Sequence, residues 1–259
     1  MIISSVKKAL DIIRLFNSTE TRLSLSTISE RMGIPKTTAH HLLATLHESG
    51  FIERVNNDQY SLGLSLLEVS QYVRVNVELR DIAAPFLRRL GDSCNESVYL
   101  AVRDKDELIY IYAIETSHRL IARSAVGVHA MLHCTANGKA ILASLPDNEI
   151  LALLYRTGMP GFTPNTICDK DTFMEQIQEI RASGFACDNA EHETDTYCLG
   201  IPIFDKNRES VGGCSISGTD PEILGSRKES MVRLLLQTSL EVSRCMGFVP
   251  TNVKNLFLS

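Results

Sequence analysis

The sequence predicts an α+β protein in two parts: an N-terminal winged helix-turn-helix and a larger C-terminal domain with an antiparallel sheet flanked by helices. Three observations predict it. Residues 25–32 and the run opening after Pro35 both carry helical patterning, and only Gly33, Ile34 and Pro35 separate them. The segment FIERVNNDQYSLG follows at once, two β-rich runs around Asn56-Asn57-Asp58, residues that turn a chain readily. Further on, SVYLAVRD and ELIYIYAIE bracket the turn Asp104-Lys105-Asp106, and helical stretches then mix with β-rich ones to the last amphipathic helix. A length of 259 residues, 44% of them hydrophobic, suffices for two domains that each bury a core.

Taken in order, Val6, Ala9, Leu10, Ile13 and Phe16 repeat at helical spacing over residues 4–17 and predict a first helix with that apolar face. The second helix, 25–32, starts in a Ser/Thr cluster suited to capping and stops at Gly33. In the third, which runs to Ser49-Gly50, the helical turn groups Ala39, Leu42, Leu43 and Leu46. Thr37, His40, His41, Ala44 and Glu48 fall on the opposite side. Strands over 51–55 and 59–62 form the wing. A less regular helical stretch from about 64 to 75 links to the stripe Leu79, Ile82, Ala83, Phe86, Leu87 and Leu90. The predicted division is therefore 1–63 for the winged domain, 64–78 for a linker helix and 79–259 for the second domain. There, the run RLIARSAV follows the first hairpin, with helices near 136–144, 147–156 and 169–183 and strands near 197–204 and 211–217. The last helix carries Met231, Leu234, Leu235, Thr238, Val242 and Cys245.

Composition narrows the function. The formal net charge is −5, unevenly spread: residues 1–62 hold seven Lys/Arg and six Asp/Glu, the remainder 19 and 25. Only the first segment avoids repelling a polyanion, and it holds three of the seven histidines. Seven scattered cysteines without a C-x-x-C pair suggest buried thiols, neither a zinc site nor a disulfide framework. No apolar run nears the roughly 18–20 residues of a membrane span, and MIISSVKKALDIIRLF enters a charged amphipathic pattern directly, so the expected location is the cytoplasm. G-x-S-x-G, H-E-x-x-H and G-x-G-x-x-G are absent, so neither an enzyme nor a bound cofactor is expected.

Two constellations carry chemistry. A short helix followed by a hairpin matches the way a winged helix-turn-helix meets DNA, with the helix in the major groove and the wing on the backbone. Lys36, Thr37, Thr38, His40, His41 and, on the wing, Arg54 are the candidate contacts with double-stranded operator DNA. The bland counterpart is a protein-contact bundle whose polar face is merely solvated. The second constellation begins in HCTANGKAIL, where Thr135 suits an N-cap and the next N–H groups would point outward from a helix start that attracts anions. Ser215 and Ser217, two apart on a predicted strand, project from one face and could hold a carboxylate or carbonyl. Asp188 and Cys198 join them if the intervening loop folds back. A nucleophilic Cys198/His192 pair is the one catalytic arrangement left open, in a metabolite-converting enzyme.

The chain resembles the IclR family of bacterial transcriptional regulators. The resemblance runs from about residue 4 to 247 and is carried by LSTISERMGIPKTTAHHLL, LHCTANGKAILA, and RASGFACDNAEHETDTYCLGIPIFD with the later SISG. It implies a DNA-binding regulator, such as a repressor of a catabolic operon, acting as a homodimer or homotetramer. It also implies a GAF-like domain that binds a small organic acid, a sugar acid or a related metabolite. Carried over motif by motif, the effector-binding positions are Ala136, Asn137, Asp188, Cys198, Ser215 and Ser217. Three departures stand out: His41 where relatives commonly have arginine, Asp195 where they usually have glycine, and Met131 where they often have proline before Leu132-His133.

Overall fold

The computed structural model describes residues 2–17, 19–56, 58–70, 72, 74–115 and 126–249, with the backbone alone at 74–77. Of the run RLIARSAV only Val126 lies within the described residues, and of the wing turn Asn57 lies outside them. The chain divides into two compact units, Met1–Val77 and Glu78–Ser259.

The first unit holds α1 (Ser4–Ile13), β1 (Leu23–Ser24), α2 (Leu25–Met32), α3 (Lys36–Glu48), β2 (Ile52–Asn56), β3 (Gln59–Leu62) and α4 (Ser65–Ser70). The Ser24 hydroxyl caps α2 by accepting the Thr27 N–H at 3.1 Å. Gly33 ends α2 in the left-handed region at φ 60°, a conformation that costs glycine nothing and turns the chain into Pro35 and α3. Ser29 Oγ donates to the Ile34 carbonyl at 2.7 Å and fastens that turn. Ile12, Phe16, Leu23, Ile28, Leu43, Leu46, Ile52 and Tyr60 form the core. The three strands pair antiparallel in the order β1-β3-β2, with Leu23 and Tyr60 in register.

The apolar face predicted for α1 is corrected in part. Val6 and Leu10 are more than half exposed, whereas Ile12, left out of that face, is wholly buried. At 100° per residue the apolar residues of this helix spread over an arc of about 160°, wider than one core-facing stripe, so spacing alone did not settle which edge the core would take.

The second unit is built on a six-stranded antiparallel sheet of order β6-β5-β4-β9-β8-β7. Its strands are β4 (Ser97–Asp104), β5 (Glu107–Ile114), β6 (His129–Met131), β7 (Ala186–Asn189), β8 (Tyr197–Phe204) and β9 (Ser210–Gly218). Helices α5 (Arg74–Cys94) and α9 (Lys228–Cys245) cover one face. Leu79, Leu87, Met231 and Leu235 pack there on Val98, Leu100, Leu199, Ile201 and Ile216. Helices α6 (Ala136–Ala143), α7 (Asp147–Thr157) and α8 (Lys170–Ser183) cover the other, where Leu142, Leu153, Phe173 and Ile177 join Ala101 and Leu108. Two covered faces explain why β4, β8 and β9 are buried almost throughout. The period-2 alternation then sorts side chains between faces: Val98, Leu100, Leu199, Ile201, Cys214 and Ile216 point to α5 and α9. Ser97, Tyr99, Cys198, Gly200, Ser215 and Ser217 point to α6.

Candidate functional site

The candidate DNA surface is the open side of α3. Lys36, Thr37, His40, His41 and Ala44 are exposed and Thr38 is half-buried, while Ala39, Leu43 and Leu46 fill the core behind them. Pro35 precedes the helix and no acidic residue stands in its first turn, so its amino end remains attractive to phosphate. The His40 and His41 rings stand edge to face, 6.0 Å between centroids. His47 Nδ1 lies 3.0 Å from the Ile52 carbonyl, which ties the last turn of α3 to the first wing strand. Arg54 is exposed on β2.

The candidate effector site lies where α6 meets the sheet. Thr135 caps the helix: its Oγ1 accepts the Gly138 N–H at 3.2 Å and donates to the Met131 carbonyl at 3.0 Å. Capped this way, α6 starts directly over β8 and β9. A Cβ on Gly200 would overlap the Ala136 carbonyl and lie 2.9 Å from the Asn137 nitrogen, so glycine permits the close approach. Asn137 Nδ2 donates to Ser215 Oγ at 3.0 Å. On the sheet, Asp188 is in register with Cys198, and Cys198 with Ser217, so three candidates form one row across β7, β8 and β9. Cys198 Sγ and Ser217 Oγ are 2.9 Å apart. Ala136, Asn137, Asp188, Cys198, Ser215 and Ser217 are all buried. The loop between Asp188 and Cys198 does fold back, because β7 and β8 are an antiparallel pair.

The electrostatics are those of a site short of water. Burial pushes the Asp188 carboxyl up to about 7, against the Glu191 backbone N–H and the Lys139 charge that favour its ionised form. Glu191 N–H donates to Asp188 Oδ1 at 2.8 Å. Lys139 Nζ, with no exposed surface, meets Glu191 Oε1 at 2.6 Å. Burial, reinforced by Cys198 and Asp188, raises the Tyr110 hydroxyl. Cys134 is pushed up to about 12 by burial, and its Sγ lies 3.6 Å from His192 Nδ1. His192 thus stands beside Cys134, while Cys198 stands beside Ser217. Burial lowers both His133 and His192, whose rings flank Phe162. Among the described residues no three His, Cys, Asp or Glu side chains gather as metal ligands.

Several residues of this site escaped the sequence. Tyr99 stands opposite Ser215, and Ser97 opposite Ser217, through the β4–β9 register. The β4 alternation places both on one face, but only the pairing shows that it is the serine face. The Lys139–Glu191 pair spans 52 positions with no local signal at all.

A winged helix-turn-helix in one unit and a six-stranded antiparallel sheet covered by helices on both faces in the other give the architecture of a two-unit DNA-binding regulator. Residues 71–244 match the C-terminal domain of the bacterial transcriptional regulator IclR, and residues 5–56 match the IclR helix-turn-helix domain. The HTH-type transcriptional regulator XynR of Escherichia coli is 32% identical over 248 residues, 95% of this chain and 98% of that one. The crystal structure of the Thermotoga maritima IclR superposes with a TM-score of 0.81 at 31% identity, covering 95% of this chain and 99% of that one. An IclR homolog from Microbacterium hydrocarbonoxydans, crystallised with 4-hydroxybenzoate, shares the fold at a TM-score of 0.82 and 20% identity, covering 94% of this chain and 99% of that one. The chain belongs to the IclR family. It is a transcriptional regulator and not an enzyme, and among the described residues no helix is long and apolar enough to cross a membrane.

Proposed function

We propose that the protein is a cytoplasmic repressor of a catabolic operon, assembled as a homodimer or homotetramer, that releases its operator when a small organic acid or sugar acid binds. Residues 1–63 hold DNA, 64–78 link, and 79–259 hold the effector. Paired subunits present two copies of α3 to successive major grooves, with Lys36, Thr37, Thr38, His40 and His41 at phosphates and base edges and Arg54 on the flanking backbone. His41 gives up the permanent charge an arginine would carry, so more of the affinity falls to the other contacts.

The observation that carries the effector half of this reading is the row Asp188, Cys198 and Ser217 beside Ser215 and the α6 start. Buried polar side chains are disfavoured unless paired, and so many in one place suit a site that exchanges partners with a ligand. Serine hydroxyls and the leading N–H groups of α6 suit a carboxylate. Ligand acts by preferring one arrangement of the assembled subunits, and a coupling of about 1–3 kcal/mol changes operator affinity roughly 5- to 150-fold.

Two measurements test the halves separately. Thr37→Ala with His41→Ala is expected to abolish retention of operator DNA in a gel-shift assay while the melting temperature holds, because both side chains are exposed and neither enters the core. Undiminished retention would remove α3 as the reader. Ser215→Ala with Ser217→Ala is expected to leave operator binding intact and to erase the thermal shift that an acid gives the wild type. At 100 times its dissociation constant that acid should add about 2.7 kcal/mol. A full shift in the double variant would move the effector elsewhere.

A further inference from the structure

Asn137 is the second residue of α6 and only 2% exposed. One end of its amide is engaged, since Nδ2 donates to Ser215 Oγ. The other end is not: Oδ1 is fully buried and has no hydrogen-bond partner. It lies above β9, where a Cβ on Gly213 would be 3.2 Å from it. Glu191 Oε2 is also buried and unpartnered, although Oε1 of the same carboxylate receives Lys139 Nζ and, at 3.3 Å, the Asn189 N–H. Buried acceptors are nearly always paired, so an unpaired one at a ligand site marks where the ligand brings a donor.

The donors nearby complete the pattern. Ser215 Oγ accepts from Asn137, which leaves its own O–H to donate, and the N–H groups of Ala136 and Asn137, ahead of the Gly138 N–H that Thr135 caps, have no acceptor within the helix. The site therefore pairs donors suited to a carboxylate with an acceptor that needs a hydrogen. We propose that Asn137 is a specificity-determining residue that reads a hydroxyl of the effector, and that the effector is a hydroxycarboxylate. Its carboxylate meets Ser215 and the α6 start, and its hydroxyl meets the open end of the Asn137 amide. This rests on the effector site proposed above. A keto acid offers no hydrogen to Oδ1, and an unsubstituted acid leaves Oδ1 buried and unpaired. An amino acid offers an ammonium in place of the hydroxyl, so it enters the test as a separate probe.

The test uses the full chain and matched probes: glycerate against pyruvate, propionate and alanine, and gluconate against hexanoate, by thermal shift and calorimetry. At least one hydroxy acid is expected to bind wild type roughly tenfold or more tighter than its counterpart, the effect of one hydrogen bond to a buried group. That preference is read without any variant. Asn137→Leu, with the same branching and number of side-chain heavy atoms, and Asn137→Ala are each expected to bring the ratio near one. Equal binding of hydroxy acids and their counterparts, no binding of either hydroxy acid, or an unchanged ratio in a folded Asn137 variant would overturn the inference. Failure of the underlying site looks different: Ser215→Ala with Ser217→Ala would then leave binding of every probe intact.

Discussion

Lys139→Met is expected to lower the stability of the chain by about 3–5 kcal/mol, because it strips the cation from a buried ion pair and leaves the carboxylate behind. Lys139 Nζ has no exposed surface, and its partner Glu191 is nearly as buried, so water cannot take the place of the lost charge. Far more than the ion pair depends on Glu191. Its N–H holds the Asp188 carboxylate at 2.8 Å, and its carbonyl receives the Thr166 hydroxyl at 2.6 Å and the Thr163 hydroxyl at 3.3 Å. Helix α6 and the turn that follows Asp188 are therefore fastened through one pair of charges. Thermal melting at a single protein concentration should fall by roughly 6–20 °C, at about 2–4 °C per kcal/mol for a unit of this size. The double variant Lys139→Met with Glu191→Leu should recover much of the loss, since removing both charges also removes the desolvation that each imposes. A single variant that melts within a degree or two of wild type would show that the pair is not sealed from water.

The contrast between α3 and this ion pair explains what a sequence reveals. The polar and apolar sides of α3 were legible because both are set by spacing along one helix, and Ala39, Leu43 and Leu46 do face the core. Gly33 and the Ser24 cap mark α2 for the same local reason. Strands β1, β6 and β7 were not legible: two, three and four residues long, they are defined by the neighbours they pair with and not by composition. Within β7, the polar Asp188 and Asn189 even argue against a strand. Ser215 and Ser217 could be placed on one face from their spacing, yet what lies over that face depends on the capped start of α6, 78 positions from Ser215 at Asn137. Of the face expected on and after α1, Phe16 does enter the core, but the packing took Ile12 where Val6 and Leu10 had the spacing for it. Local periodicity thus recovers elements, whereas register and long-range polar pairing, which build the candidate effector site, carry no short-range signature.

Gly200→Ala should be the sharpest steric test of that site. Gly200 sits in β8 between Ala186 and Ser215, directly under the first turn of α6. The added methyl would overlap the Ala136 carbonyl and approach the Asn137 nitrogen to 2.9 Å. Both are backbone atoms, so no side-chain rotation relieves the contact. Nor is α6 free to rise, since Gly138 packs against the Leu132 backbone on another side and Thr135 holds the cap. The helix start must tilt, which carries Asn137 away from Ser215 and spoils the alignment of N–H groups with the serine face. Overpacking of this kind costs about 1–3 kcal/mol, but the functional loss should be complete, with no thermal shift from any acid that shifts wild type. Operator binding without effector should persist, because no residue of β8 or α6 belongs to the core of the DNA-binding unit. Gly213→Ala supplies the graded control: its nearest neighbour is the Asn137 side-chain oxygen at 3.2 Å, an atom that can move, so its response should be weakened and not lost. A Gly200→Ala protein that answers the acid as wild type does would mean that the approach of α6 to the sheet is not what shapes the site.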